Sequence, residues 1–462
     1  MHFAYFWGGS LYQRLANDFI LKAIDSNHKF DKFNDLKQTY TIFNPNYNDY
    51  YLIIDKKIDG NELFRAITKF IASCKIHSFD IDVKSFLDYT EKSEHEKVIQ
   101  ILVMSTIYAN DKPWTLNSNQ TKSTIDHNLI IPQEYFDLAN EYKIVANDRN
   151  FARKLQDMPS NLITPGGFET MMVEHLKKLN HVKVTVLNEK ELAKNNMNLL
   201  LAVGQGAQKE ADKPRLIIAK YLPNPNDKNI MVFVGKGVCF DTGGLNIKPG
   251  SHMRWMKYDM SGAAIVGSLI HSLATNNINK NVIAVMPLVL NLASSSSYRP
   301  DDVIVGHSGK SVEIDNTDAE GRLILADAIS YAAKNLEASE IYDIATLTGA
   351  MIYALGDTYT GVWSTNDKLY DNVLIASNLA GELVWRLPFH HDFKDLLKSN
   401  FADISNSVSD PRGGSSRAAC FLKEFTHNKE YVHFDVAGTA DRGNVGTGIM
   451  LHTFYNLIKN KK

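Results

Sequence analysis

Two stretches of this chain concentrate residue types that can do hydrolytic chemistry. Between Ile230 and Asp259 stand Lys236, Asp241, Lys248 and Asp259; between Val312 and Arg322 stand Asp318, Glu320 and Arg322. Four carboxylates converging on one point repel one another unless cations sit between them. A two-metal site is the economical reading of that set. Lys236 is its most informative member. It lies between Gly235 and Gly237, directly after an apolar run, where a lysine has little reason to stand. A buried lysine finds a carboxylate or loses its proton, and a neutral amine is a competent metal ligand.

Each acid also has an ordinary explanation when taken alone. Asp318 and Glu320 precede a helical run in which Leu325, Ile329 and Ala332 share a face, so both could serve the N–H groups of a helix start. Asp241, beside Gly243 and Gly244, could be a turn acid. Asp259 opens the run holding Gly262, Ala263 and Ala264, where capping is again the plain role. Cys239, just before Asp241, reads as a buried packing residue. The conjunction of these residues is what favours chemistry.

The elements that must position them read as α/β. Apolar runs at 230–234 and 312–314 are strands that deliver charged residues at their ends, where α/β sheets hold ligands. Further strands are expected at 182–187, 215–219, 282–287, 341–345 and 432–436, with helices at 261–273 and 323–334. Strands separated by helices argue for a mainly parallel central sheet covered by helices. Upstream, strands at 50–54 and 79–83 alternate with a helix at 59–73 and another opened by a Ser93–Glu96 capping box. His77, His95 and His127 are scattered and read as surface or satisfied histidines. A linking helix is expected over 132–156. The expected organisation is a smaller N-terminal α/β domain over 1–150 and a larger C-terminal catalytic α/β domain over 151–462.

Composition narrows the partners. Fifty basic against fifty-two acidic side chains leave a formal charge of -2 and no electrostatic footprint for nucleic acid. No apolar stretch approaches a membrane span. Cys74, Cys239 and Cys420 lack paired spacing, which fits a reducing compartment. Residues 1–14 lack a basic n-region and read as a strand and turn, not a signal peptide. A cytoplasmic location is the expectation.

The segments VGKGVCFDTGG, NIKPG, MKYDMSGAA and above all NTDAEGRL resemble the leucyl aminopeptidase (cytosol aminopeptidase) family. PSNLITP, SYRPDDV, IATLTGA and HFDVAG extend the resemblance over nearly all of residues 155–455. It implies a dinuclear metalloaminopeptidase that releases leucine and other apolar residues from peptide N-termini. It implies that Lys236, Asp241, Asp259 and Glu320 hold one metal and that Asp241, Asp318 and Glu320 hold the other. Hard oxygens plus one amine suit Zn²⁺ or Mn²⁺, and also Mg²⁺ or Co²⁺. A hydroxide between the ions is the implied nucleophile. Lys248 then stabilises the oxyanion, and Arg322 holds a bicarbonate that acts as general base. Met256, Thr346, Gly349, Ala437 and Ala440 are the implied substrate-binding residues, and a homohexamer the implied assembly.

Two departures from the family pattern stand out. Asp301 stands where the family usually has glycine, and Ala440 where some members have methionine, a change expected to widen the pocket. Two rival functions remain at this point. A dinuclear phosphoester hydrolase shares the two-metal logic but lacks its usual histidine ligands, and a moonlighting DNA-binding role is disfavoured by the balanced charge.

Overall fold

The computed structural model describes residues 19–24, 41–44, 49–73, 78–118 and 126–461. The strand and turn expected at 1–14, together with Cys74, His77 and the side chain of His127, lie outside the described residues. The chain forms two compact units, 1–147 with 377–382 and 148–376 with 383–462.

The first unit holds a five-stranded sheet in the order Thr41–Asn44, Asp49–Ile53, Ile20–Ile24, Ser78–Asp82, Asp126–Ile130, parallel except for its first pair. Helix Gly60–Ser73 buries Leu63, Ile67, Phe70 and Ile71, the stripe that helical spacing predicts. Asp59 starts it by accepting the N–H groups of Asn61 and Glu62 at 2.8 and 3.1 Å. Helix His95–Asn110 begins differently from expectation. A 3₁₀ turn, Lys92–Glu94, leads into it, so Ser93 falls inside the turn and the Ser93–Glu96 capping box does not form. His95 is a satisfied histidine, bonded to Tyr135 Oη at 2.8 Å and Leu87 O at 3.1 Å. A helix spans Phe136–Asp157.

The second unit is built on a nine-stranded sheet. Its order is Val384–Arg386, Thr360–Ser364, Glu430–Asp435, Glu340–Ala345, Ile230–Gly235, Asn281–Asn291, Arg215–Tyr221, Val182–Leu187, and Gly237–Asp241 also pairs with Asn281–Asn291. The four central strands, Glu430–Asp435 to Asn281–Asn291, run parallel. Antiparallel pairings flank them on both sides. The central strands are buried along nearly their whole length because helices such as Ser261–Thr275 and Gly321–Asn335 pack against them. Each fully buried Val, Ile or Phe there contributes about 1.5–3 kcal/mol.

One strand differs from expectation. Ser311–Glu313 belongs to a separate three-stranded sheet, antiparallel to Val303–Val305 and parallel to Ile404–Ser405. Asp318 and Glu320 therefore do not leave the end of a main-sheet strand.

Candidate active site

The main sheet is interrupted at the residue that matters most. Ile230–Gly235 and Gly237–Asp241 both run parallel to Asn281–Asn291, and Lys236 is the break between them. The break needs backbones in near contact. A Cβ on Gly235 would lie 2.3 Å from Gly262 O, and one on Gly262 would lie 2.1 Å from Ile344 O. Only glycine fits at either position. Held this way, Lys236 Nζ lies 2.7 Å from Asp259 Oδ1 and 2.9 Å from Glu320 Oε1, and it donates to Thr346 O at 2.9 Å. Lys248 Nζ lies 2.8 Å from Asp241 Oδ2 and 2.6 Å from Asp318 Oδ1. Carboxylate oxygens of Asp241, Asp259 and Glu320, all buried, come within 4.8 Å of one another. All four acids and both lysines thus converge at the C-terminal ends of the parallel strands.

The ordinary roles of these acids can now be checked. Glu320 does occupy the cap position of helix Gly321–Asn335, yet its side chain makes no capping bond. Asp259 lies in the 3₁₀ turn Met256–Met260, and Met260, not Asp259, precedes helix Ser261–Thr275. Asp241 does both jobs. Its Oδ1 accepts the Gly243 N–H at 2.8 Å as a turn acid, while Oδ2 faces Lys248. Among the described residues Arg322 forms no ion pair with an acid and its buried Nε has no partner; its Nη1 donates to Asn406 O at 2.7 Å. Cys239 is fully buried, and burial pushes its thiol well up, as suits a packing residue.

The cage is over-acidic. Burial, reinforced by the neighbouring acids, pushes the Asp318 carboxyl up to about 7, although Lys248 opposes the shift. Burial likewise drives Asp259 well above the carboxylate range against the pull of Lys236. Burial works against the ammonium forms of Lys236 and Lys248, but the surrounding acids outweigh it and hold both above the ordinary lysine value. Burial draws the Arg322 guanidinium down to about 10, with Glu320 pulling the other way.

These residues fit metal ions. Asp259 Oδ2 is buried with no hydrogen-bond partner. Glu320 Oε1 and Asp318 Oδ1 lie within ion-pair reach of a lysine but make no hydrogen bond either. Carboxylate oxygens left open in a buried, acid-rich pocket are what divalent cations bind, and the donor set is hard oxygens plus one amine.

A scaffold of amides and hydroxyls fixes the acids, and sequence reasoning missed it. Asn291 Nδ2 donates to Asp241 Oδ1 at 2.8 Å and to Thr317 O at 3.0 Å. Thr317 is locked to Asn246 and Gly243, and Tyr298 Oη donates to Thr317 O at 2.7 Å. Asn406 Oδ1 accepts the N–H groups of Asp315 and Asn316. One signal was present: Asn291 is the polar residue that ends the apolar run 282–290, level with Asp241 in the register.

The residues expected to bind substrate are placed unevenly. Thr346 borders the acids directly, its Oγ1 donating to Asp259 Oδ1 at 2.7 Å. Met256 shares the turn that carries Asp259. Gly349 is exposed, and Ala437 is half-buried, its N–H held by Asp435 Oδ1 at 3.0 Å. Ala440 is only 1% exposed, and its carbonyl accepts Gln156 Nε2 and Thr447 Oγ1 at 3.0 Å each.

An α/β unit that presents a buried lysine-and-carboxylate cage at its strand ends has the architecture of a metal-dependent hydrolase. The catalytic-domain profile of the cytosol aminopeptidase family matches residues 150–455. The "Probable cytosol aminopeptidase" of Mycoplasma genitalium is 44% identical over 399 residues, 85% of this chain and 87% of its own length. That of Mycoplasma pneumoniae is 43% identical over 393 residues, with the same shares covered. The "Cytosol aminopeptidase" of Encephalitozoon cuniculi is 44% identical over 302 residues, 65% of this chain and 61% of its own length. Among solved structures, the bottromycin maturation enzyme BotP in complex with Mn superposes with a TM-score of 0.84 at 23% identity, over 96% of this chain and 99% of its own. At that identity the likeness speaks for the fold. This chain belongs to the cytosol aminopeptidase family and is a metal-dependent aminopeptidase, a hydrolase of peptides. Among the described residues, no helix is long and apolar enough to cross a membrane.

Proposed function

We propose that this protein releases single amino acids, leucine and other apolar residues foremost, from peptide N-termini at a two-metal centre. The observation that supports this most is the buried cage with open carboxylate oxygens on Asp259, Asp318 and Glu320. Lys236, Asp241, Asp259 and Glu320 would hold one ion, and Asp241, Asp318 and Glu320 the other. Zinc or manganese suits the set best, with magnesium or cobalt acceptable. Ions held there would supply an acidified bridging hydroxide and a Lewis acid for the scissile carbonyl.

The remaining work falls to the chain's own groups. Lys248, kept protonated by the acids around it, stabilises the oxyanion of the tetrahedral intermediate. Arg322 Nε–H, free of protein partners, is suited to hold a bicarbonate that acts as base. Asp259 Oδ2 is the oxygen available to the substrate's free α-amine. Binding energy at that amine positions the first peptide bond and no other. Met256, Thr346, Gly349 and Ala437 offer accessible surface to the first side chain; Ala440, almost wholly covered, acts on the pocket only through its neighbours. A homohexamer in the cytoplasm completes the proposal.

The test compares a leucyl peptide with its N-acetyl derivative on one metal-loaded preparation. The free peptide should be cut at its first bond and the acetylated one refused. Similar rates on both would replace the exopeptidase assignment with an endopeptidase or amidase.

A further inference from the structure

Arg417 stands outside the acid cage and outside the residues expected from the sequence. Gly413, at φ 64°, turns the chain into helix Gly414–Lys423, and Arg417 lies in its first turn, only 6% exposed. Its Nη2 donates to Asp410 O, while its Nη1 is buried without a hydrogen-bond partner among the described residues. Arg322 repeats the pattern, with Nη1 on Asn406 O at 2.7 Å and a buried Nε left open. Both guanidinium groups thus hang from carbonyls of one segment, 406–410. The helix of Arg417 also packs against helix Gly321–Asn335, whose first turn carries Arg322. A Cβ on Gly414 would lie 3.9 Å from Arg417 Nη2 and 3.5 Å from Ala350 Cβ, so this head sits beside the start of helix Gly349–Leu355. A Cβ on Gly349 would meet nothing within 4 Å, which leaves that side open.

The charges around these two heads do not balance. Among the described residues, neither arginine forms an ion pair with an acid. Asp410 offers Arg417 only its carbonyl, because Arg412 holds its carboxylate, with Nε 3.0 Å from both oxygens and Nη2 2.6 Å from one. Burial, then the charge of Arg417, draws the Arg322 guanidinium down to about 10, with Glu320 pulling the other way, so it stays charged at neutral pH. Two buried cations, each with an N–H left open, call for an anion between them. We propose that Arg417 and Arg322 form one site for a planar oxyanion of the carboxylate kind, either free bicarbonate or the C-terminal carboxylate of the peptide being cut. Guanidinium groups match such anions through paired N–H···O bonds. The enclosed N–H groups suit the small bicarbonate; the open side at Gly349 suits a carboxylate on the leaving part of the peptide. The proposal rests on the reading that Arg322 serves the reaction at the cage, and adds a second arginine to it.

The test uses the metal-loaded full chain in carbonate-free buffer, with bicarbonate added back stepwise. The substrates are a leucyl dipeptide and its C-terminal amide. If bicarbonate is the occupant, Arg417→Met raises the half-saturating bicarbonate concentration on the order of 10-fold, the scale of one lost bond to a charged group. If the substrate carboxylate is the occupant, the parent chain favours the free acid over the amide on the order of 10-fold in kcat/KM, and Arg417→Met brings that ratio toward one. Arg417→Lys keeps the charge but not the fork, and moves the same quantity less. Neither shift, in a folded and metal-loaded variant, would overturn the proposal and leave Arg417 as a clamp on the Asp410 carbonyl. A parent chain that ignores bicarbonate removes only the bicarbonate reading of Arg322, and the acid-to-amide ratio then decides. If Arg417→Met does not fold, Arg417→Lys decides by the same two measurements.

Discussion

Lys236 and Asp241 reach the acid cage from the main sheet and Asp259 from the 3₁₀ turn packed against it, whereas Asp318, Glu320 and Arg322 reach it from a segment that follows the small three-stranded sheet. The first group is set by strand pairing and glycine contacts: Lys236 N–H bonds Ile344 O at 3.0 Å, and Ala263 N–H bonds Lys236 O at 2.9 Å. The second is set by side-chain amides, with Asn406 and Asn246 holding the backbone of residues 315–317. Sheet hydrogen bonds are cooperative and resist single substitutions, while an amide scaffold fails when one member is removed. One half of the cage is therefore rigid by construction, and the other is rigid only while its scaffold is complete.

The largest effects should come where the halves meet. Asp241 and Glu320 are the acids proposed to serve both ions, one from each half. Asp241→Asn or Glu320→Gln should abolish turnover and lower the bound metal measured by elemental analysis. Full metal content with normal activity in either variant would break the dinuclear assignment.

The two lysines should separate next. Lys236 is wedged between Asp259 and Glu320, so Lys236→Ala should weaken the hold on metal. Lys248 should matter for the oxyanion: Lys248→Ala should keep its metal and lose on the order of 10²-fold in kcat. Equal metal loss in both variants would show that the lysines share one role.

Removing the amide scaffold should cost less. Asn406→Ala removes a fully buried acceptor and leaves the N–H groups of the exposed Asp315 and half-buried Asn316 without it. Each lost partner costs about 1–3 kcal/mol, reduced wherever water enters. A stability loss of about 2 kcal/mol is expected in denaturant melts. The comparison variant is Thr346→Val, which deletes one bond to Asp259 but no backbone support; it should unfold closer to the parent chain. The reverse order would mean that the second half does not depend on its amides.

How much of this could be read in the sequence follows the same division. Strands 230–234 and 341–345 were legible because strands buried in a parallel sheet are mostly apolar, 215–219 because it carries an apolar run, and 182–187 because its valines recur at every second position. The charged cage residues were legible because such types are costly to bury without a purpose. The strand ending at Asp241 was not foreseen, since Gly237–Asp241 is too short and glycine-led to stand out. The strand at 312–314 was legible but its sheet was not, because three apolar residues do not say which sheet they join. Asn246, Asn316 and Asn406 went unread for a further reason. An asparagine in a loop looks the same in sequence whether its amide meets water or holds a backbone turn.

The smallest predicted effect concerns the entry to the small sheet. Asp301 has φ 71°, in the left-handed region, which explains physically why a glycine suits this position. Its N–H bonds Ile314 O at 2.8 Å, so the backbone is held there by the segment leading to the cage. Burial first, then the charges of Glu313 and Asp301, push the Asp315 carboxyl above its usual range, so Asp301 adds acid where acid is already crowded. Asp301→Gly removes the strain, about 1 kcal/mol, and the repulsion. The greater freedom of glycine in the unfolded chain returns roughly 0.5 kcal/mol of that. A net gain of about 0.5 kcal/mol should appear as a slightly higher melting temperature, with kcat and metal content unchanged. Asp301→Ala separates the two contributions, since it removes the charge but keeps a Cβ in the left-handed region. If Ala stabilises as much as Gly, repulsion is the cause; if Gly alone stabilises, backbone strain is. A lower melting temperature for Asp301→Gly would mean that the Asp301 carboxylate supports this turn and does not burden it.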